Sequence, residues 1–219
     1  MNLLTWALDL LFPPKCPFCR SILADPRAPL CGGCQSRLPW LEGKHAESKV
    51  DFADGCISPL TYRGTVPESV RRFKFGGGRA CGAAFGVLMA QCVRDHCPEG
   101  ADLITWAPVS SRRRRERGYD QAELLARRMG EELGLPVMPL LCKVRHTEPQ
   151  SELKSDSARR ANALGAYALL PESRVEGKRI LLVDDVVTSG ATLSECCRML
   201  RQAGAEYVCC VTLACAGKR

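Results

Sequence analysis

No apolar run in this sequence is long enough to span a bilayer. The apolar N-terminus, residues 1–12, falls far short of the roughly 20 residues a transmembrane helix needs. That segment also holds Asp9, lacks a basic n-region and runs into Pro13-Pro14 without a small-residue cleavage site, so it does not read as a secretory signal. Leu3, Leu4, Ala7, Leu8 and Leu11 share one helical face, which suits a short amphipathic helix packed on its own protein better than an interfacial membrane helix. Histidine is scarce as well: His45, His96 and His146 stand far apart, and none is assigned a catalytic role. Internal repeats and low-complexity tracts are absent, which excludes solenoid and collagen-like architectures.

What is present is ordinary globular composition with two unusual features. Of 219 residues, 46% are hydrophobic and 25% charged, enough for one medium domain or a domain plus a small module. The first unusual feature is a formal net charge of +7, which suits phosphates, pyrophosphate or nucleic acid as partners without choosing among them. The second is 14 cysteines. With no secretory signal, they point to a reducing, cytoplasmic setting and to metal binding rather than disulfides. Cys16-Pro-Phe-Cys19 and Cys31-Gly-Gly-Cys34 are two Cys-x-x-Cys knuckles separated by residues 20–30. Four thiolates at that spacing suit a tetrahedral structural Zn2+, with no open position for catalysis. The other ten cysteines lack metal spacing. Cys196-Cys197 and Cys209-Cys210 are expected to be small buried hydrophobes, one of each pair facing the core.

Residues 1–40 are therefore read as an N-terminal helix and a four-cysteine zinc module, residues 41–54 as a polar linker, and residues 55–219 as the main domain. In that domain strand-like and helix-like patterns alternate. Strands are expected at 57–62, 103–109, 137–144 (interrupted by Pro139), 166–170, 180–183 and 207–214, and helices at 65–75, 80–94, 121–133, 157–162 and 193–202. The alternation predicts an α/β fold with a mainly parallel sheet flanked by helices. Ligands of such sheets bind beyond the carboxyl ends of the strands. Here those are the loops after Val109, Val144 and Val183.

The richest of these loops runs Val183-Asp-Asp-Val-Val-Thr-Ser-Gly-Ala-Thr192. A buried strand leads into two carboxylates, a small hydroxyl-rich loop and a helix. Thr188, Ser189, Gly190, Ala191 and Thr192 offer backbone N–H groups, hydroxyls and the positive end of a helix dipole, which together suit a phosphate monoester. Asp184 and Asp185 suit vicinal hydroxyls, as on a ribose. A plain capped helix would leave the paired acids unexplained. After the strand at 103–109, a loop carries Arg112, Arg113, Arg114, Arg115 and Arg117. Guanidinium forks match phosphate oxygens, so this loop fits pyrophosphate or the backbone of a nucleic acid. Arg145 opens a long polar segment, 145–153, that reads equally as a mobile lid or as a plain surface connection. The stretch Arg71-Arg72-Phe73-Lys74-Phe75 is either a stacking surface for single-stranded DNA or an amphipathic helix with Val70 and Phe73 in the core.

The Asp184–Thr192 segment resembles the phosphoribosyl pyrophosphate (PRPP) signature of type I phosphoribosyltransferases. By that resemblance Asp184 and Asp185 hold the ribose hydroxyls, and residues 188–192 hold the 5-phosphate. Ala107-Pro108-Val109, Arg117-Gly-Tyr-Asp-Gln121, Arg145-x-Thr147-x-x-Gln150-x-x-Leu153 and Arg159-x-x-Asn162 extend the likeness. With Tyr62-Arg63-Gly64 and Phe73-Lys-Phe-Gly-Gly77 they make the chain similar to the ComF family, which is associated with DNA uptake in natural competence. The resemblance implies a type I phosphoribosyltransferase-like sheet behind a zinc module. It also implies PRPP with Mg2+ as ligand, an unidentified nitrogen acceptor, and single-stranded DNA or other DNA-uptake proteins as partners. Arg112–Arg117 and Arg145 would face pyrophosphate or DNA, and no residue stands out as a general base. A protein that handles single-stranded DNA on this fold without transferase turnover is the alternative. Asp120 stands where the family commonly has Asn; a carboxylate donating nothing there would weaken a pyrophosphate contact.

Overall fold

Two nine-residue apolar strands at the C-terminal end of the chain carry the architecture. The computed structural model describes residues 13–75, 78–97, 100–145 and 155–217. The expected helix of residues 1–12, Gly76-Gly77 and nearly all of the polar segment after Arg145, including His146, Thr147, Gln150 and Leu153, lie outside the described residues. In chain order the elements are α1 (Gly32–Arg37), β1 (Gly55–Ile57), β2 (Leu60–Thr61), α2 (Val66–Phe75), α3 (Arg79–His96), β3 (Leu103–Trp106), α4 (Ser111–Arg117) and α5 (Gln121–Leu133). They continue with β4 (Leu141–Lys143), α6 (Asp156–Ala163), β5 (Tyr167–Leu169), β6 (Arg179–Val187), α7 (Ala191–Gln202) and β7 (Tyr207–Cys215).

Strand β7 lies between β6 on one side and β1 followed by β2 on the other, with β3 outside β6, and every pairing in this sheet is parallel. A parallel sheet is covered on both faces, so its central strands read as continuous apolar runs. The period of two then divides them. Leu181, Val183, Cys209 and Val211 pack with Phe85, Met89, Leu125 and Met129 from α3 and α5. Ile180, Leu182, Val208 and Cys210 pack with Leu193, Cys196, Cys197 and Leu200 from α7. Both members of each adjacent cysteine pair lie in the interior, not one of each as the sequence suggests: both faces of β7 are covered, and Cys196 and Cys197 both sit on the side of α7 that packs on the sheet.

Most boundaries follow the sequence pattern, and four differ for a physical reason. The strand expected at 180–183 runs on to Val187, because β7 offers backbone partners out to Cys215, with Asp184 opposite Thr212 and Val186 opposite Ala214. The arginine run is a helix rather than a loop. Ser110 caps α4, accepting from Arg113 N at 3.4 Å, and Gly118 closes it in a left-handed conformation. The strand expected at 57–62 divides into β1 and β2 around Pro59, which has no N–H to pair, whereas the interruption expected at Pro139 is present: Val137 bridges Ile104 of β3, while β4 leaves the sheet and pairs antiparallel with β5. The strand expected at 103–109 stops at Trp106.

The cysteine module packs directly on the sheet domain. Phe18 sits 5.5 Å from the Phe85 ring, and Phe85 meets Phe73 edge-on at 5.5 Å. Ser69 Oγ donates to the Pro17 carbonyl at 2.7 Å, and Arg72 Nη2 donates to the carbonyls of Pro17 and Phe18 at 2.7 and 2.9 Å. Trp40 bridges Leu60, Glu47 bridges Ile57, and Asp51 N donates to Ser194 Oγ at 3.2 Å, so residues 41–54 run against the sheet and α7. Among the described residues no helix is long and apolar enough to cross a membrane.

Candidate functional site

A cavity of about 860 Å3 opens at the carboxyl ends of β3 and β6. That is where the parallel topology puts a ligand site. Asp184, Asp185 and all five residues Thr188–Thr192 line it. Gly190 adopts φ +73° as the residue before α7, and a Cβ there would meet Val50 Cγ2 at 3.3 Å, so conformation and space both call for glycine. Gly190 brings no capping side chain to α7, and the N–H of Ala191 reaches the Ser189 hydroxyl only at 3.5 Å. The first-turn N–H groups of a 12-residue helix therefore face the cavity end of the loop, with the dipole behind them.

The two aspartates differ in environment. Asp185 forms an ion pair with Lys74 at 2.9 Å, and its own backbone N–H donates to Asp184 Oδ1 at 2.8 Å. Burial, then the neighbouring Asp185 charge, push the Asp184 carboxyl well above the ordinary carboxylate range. Burial works against the Lys74 ammonium, but the two aspartates outweigh it and hold its pKa above that of an ordinary lysine.

The expected arginines divide. Arg113 and Arg117 line the cavity; Arg112, Arg114, Arg115 and Arg145 are not among its lining residues. Arg117 is held on two sides: it stacks 4.7 Å from the Phe75 ring centroid and donates to Gln121 Oε1 at 2.8 Å. Arg112 pairs with Glu116 at 2.8 Å and Arg114 with Glu123 at 3.1 Å. Arg145 Nη2 donates to the carbonyls of Asn162 and Leu164 at 3.0 and 2.7 Å, tying the base of the polar segment to the end of α6. In the 71–75 stretch Phe73 is core with the preceding Val70, as an amphipathic helix requires, while Phe75, 70% exposed, lines the cavity with Arg71 and Lys74.

Sequence reasoning missed Lys143 and Tyr167, which line the same cavity from β4 and β5. Lys143 has no motif around it, and Tyr167 reads as one more strand aromatic. Only the antiparallel pairing of Lys143 with Tyr167 brings the two together. Burial, then the positive charge of Arg113, pull Lys143 down to about 8.

Asp120 overturns an expectation. Its Oδ1 accepts from Ala122 N and Glu123 N at 3.0 and 3.3 Å, and its Oδ2 accepts from Val109 N at 2.9 Å. The side chain is 3% exposed and does not line the cavity. A carboxylate is well matched to three N–H donors; an amide has a single acceptor oxygen. Its work is to cap α5 and fix the loop after β3, so its charge does not weaken a pyrophosphate contact. Replacing it is predicted to cost stability in the order Asp120→Ala above Asp120→Asn. The alanine should cost about 2–4 kcal/mol, from a lost cap and an orphaned buried amide. Urea unfolding measures both; equal stability of all three proteins would refute the fastening role.

The four knuckle cysteines, Cys16, Cys19, Cys31 and Cys34, place their sulfurs within 4.8 Å of one another. An antiparallel bridge, Lys15 to Ile22, shapes the first knuckle, and the start of α1 shapes the second. Burial, then the neighbouring sulfurs of Cys19 and Cys16, push the Cys34 thiol far above its usual range. Four thiolates this close need a cation among them, and the all-sulfur donor set suits structural Zn2+.

Residues 116–219 match the phosphoribosyl transferase domain, and residues 7–46 match the double zinc ribbon domain. The class is thus a phosphoribosyltransferase-like sheet joined to a zinc ribbon. The chain is 31% identical over 199 residues to the DNA utilization protein YhgH of Salmonella typhimurium, covering 88% of this chain and 80% of that one. It is 30% identical over 217 residues to the competence protein ComFC of Bacillus subtilis, covering 91% and 84%. It is also 29% identical over 217 residues to competence protein F of Haemophilus influenzae, covering 89% and 93%. The chain belongs to the ComF family.

Proposed function

We propose that this protein binds PRPP together with Mg2+ and acts as a phosphoribosyltransferase in DNA uptake. One observation carries the reading: a helix start with its hydroxyl-rich loop and a pair of aspartates line a single cavity. Residues 188–192 take the 5-phosphate, while Asp184 and Asp185 take the ribose 2- and 3-hydroxyls. Arg113 and Arg117 meet the pyrophosphate and stabilise it as it leaves with negative charge. Mg2+ prefers oxygen donors and few protein ligands, so it would arrive with PRPP and neutralise its pyrophosphate charge. In this reading residues 1–40 are the zinc module, residues 41–54 the connection, and residues 55–219 the ligand-binding domain, at work in the cytoplasm.

The exposure of Arg112, Arg114 and Arg115 on α4, outside the cavity, favours a second activity, binding of single-stranded DNA at the rim. The names of the relatives, competence protein and DNA utilization protein, agree with it. Other DNA-uptake proteins would be partners of the same surface.

Calorimetric titration of PRPP with Mg2+ into the zinc-loaded protein tests the first reading. Binding is expected in the wild type and absent in an Asp184→Ala/Asp185→Ala variant. No heat from a folded wild type would reject it. For DNA, affinity should fall steeply between 50 and 200 mM salt, and Arg112→Ala/Arg115→Ala should flatten that slope by about 1–2 units of d log K/d log[salt]. A slope near zero in the wild type would reject the rim surface.

A further inference from the structure

We propose that Lys143 is a direct ligand of the 5-phosphate of the sugar phosphate held at Thr188–Thr192, and that Tyr167 positions it. The inference deepens the PRPP reading above and rests on it.

Lys143 lines the cavity and is half-buried. Among the described residues no carboxylate lies within ion-pair distance of it. Its ammonium instead donates to the Tyr167 hydroxyl at 3.2 Å and sits 5.0 Å from the centroid of that ring. An ammonium in a recess without a directly paired carboxylate is costly, and a protein that keeps one at a cavity wall has prepared it for an anion. Tyr167 indicates which anion. It is 5% exposed, and its hydroxyl interacts with the side chain of Thr192, the last residue of the hydroxyl-rich loop. The order Lys143, Tyr167, Thr192 therefore carries a positive charge to the loop that otherwise offers only neutral donors. Arg113 and Arg117 come from α4, at the end of β3, and serve the pyrophosphate side.

The groups facing Lys143 are Arg113 from α4, Arg145 just beyond β4, Asp184 on β6, Cys196 on α7 and Tyr167 on β5. Burial, then the balance of these charges, leaves the lysine titrating at about 8. The sign follows: phosphate binding is favoured while Lys143 is protonated and weakens as pH rises past about 8.

Two probes separate the two ends of the cavity. Ribose 5-phosphate lacks the pyrophosphate group, and inorganic pyrophosphate lacks the sugar phosphate. Both are titrated calorimetrically into the zinc-loaded full chain, as wild type, Lys143→Met and Lys143→Arg. Lys143→Met is expected to lose about ten- to hundredfold in ribose 5-phosphate affinity, the weight of a charge-assisted hydrogen bond, and to keep its pyrophosphate affinity. Lys143→Arg should restore binding and abolish the decline above pH 8, because a guanidinium does not titrate there. Circular dichroism identifies a variant that has merely unfolded, and Lys143→Arg then decides through its pH profile alone. Unchanged ribose 5-phosphate affinity in Lys143→Met overturns the proposal while leaving the PRPP reading intact. So does a loss confined to pyrophosphate. A wild type that binds neither probe overturns the PRPP reading and this proposal with it.

Discussion

Cys31→Ser is expected to release the zinc, loosen residues 13–40 and weaken the ligand site in a single step. The module has almost nothing of its own to hold it. Its buried residues, Cys16, Phe18, Leu30, Cys34 and Leu38, belong to a core whose bulk comes from α3, α5 and the sheet. Structural zinc contributes about 10–16 kcal/mol in isolated modules at neutral pH, so losing one thiolate of four removes a large share of that. The effect should travel because the module is fastened to α2. Pro17 and Phe18 accept hydrogen bonds from Ser69 and Arg72, and two residues beyond Arg72 lies Lys74, paired with Asp185. Once the Pro17–Phe18 turn is loose, α2 loses the contacts that fix its rotation, and the Lys74–Asp185 pair loses its support. We expect a released-zinc signal of one ion per chain, a lower Tm, and ribose 5-phosphate affinity reduced about fivefold or more, the lower end of ordinary site-to-site coupling. Zinc loss with unchanged ligand affinity would show that the module and the cavity are independent. An unchanged Tm with zinc retained would show that Cys31 is not a ligand.

The sequence makes the fold legible where a pattern is long and periodic. Residues 121–133 form a helix with the expected bounds, because an apolar stripe ends at Gly134, which adopts the left-handed conformation such a stop requires. The zinc knuckles are legible for a similar reason: spacing alone brings four sulfurs together. Illegible features are those that tertiary contacts decide. Two adjacent aspartates read as the end of a strand, yet pairing with β7 carries the strand past them to Val187. Five arginines in six residues read as a loop, yet Ser110 and Gly118 suffice to bracket a helix whose charges are offset by Glu116 and Glu123. Asp120 looks like a weakened ligand and is a fastener, since the direction of a side chain cannot be read from its neighbours in sequence. The site was half visible. Asp184, Asp185 and Thr188–Thr192 lie in one continuous segment, whereas Lys74, Lys143 and Tyr167 reach the cavity from three separate elements.

The ion pair between Lys74 and Asp185 should behave as part of the site's charge balance rather than as surface decoration. Lys74→Met keeps most of the stem packing and removes the charge. Breaking a buried pair typically costs about 3–5 kcal/mol. Here the lysine side chain keeps 27% of its exposure and the aspartate 12%, so about 2–3 kcal/mol is the reasonable expectation after solvent screening. The pH dependence gives the cause away. Asp184 already holds its proton more tightly than an ordinary carboxyl, and Lys74 is one of the groups opposing that. Without the lysine, the two adjacent carboxylates lose the ammonium paired with them, and the pKa of Asp184 rises further. A carboxyl whose folded pKa is raised destabilises the fold when ionised, and that penalty vanishes as acid protonates it. The deficit of Lys74→Met against wild type should therefore be largest at neutral and alkaline pH and shrink as pH falls through the raised carboxyl pKa. Lys74→Met/Asp185→Asn should recover most of the loss at neutral pH, since the uncompensated charge is then gone. Urea unfolding of the four proteins of that cycle at two pH values makes the measurement. A deficit that is the same at both pH values, with no rescue by Asp185→Asn, would mean that Lys74 contributes packing alone and that the two aspartates reach their ligand without its charge.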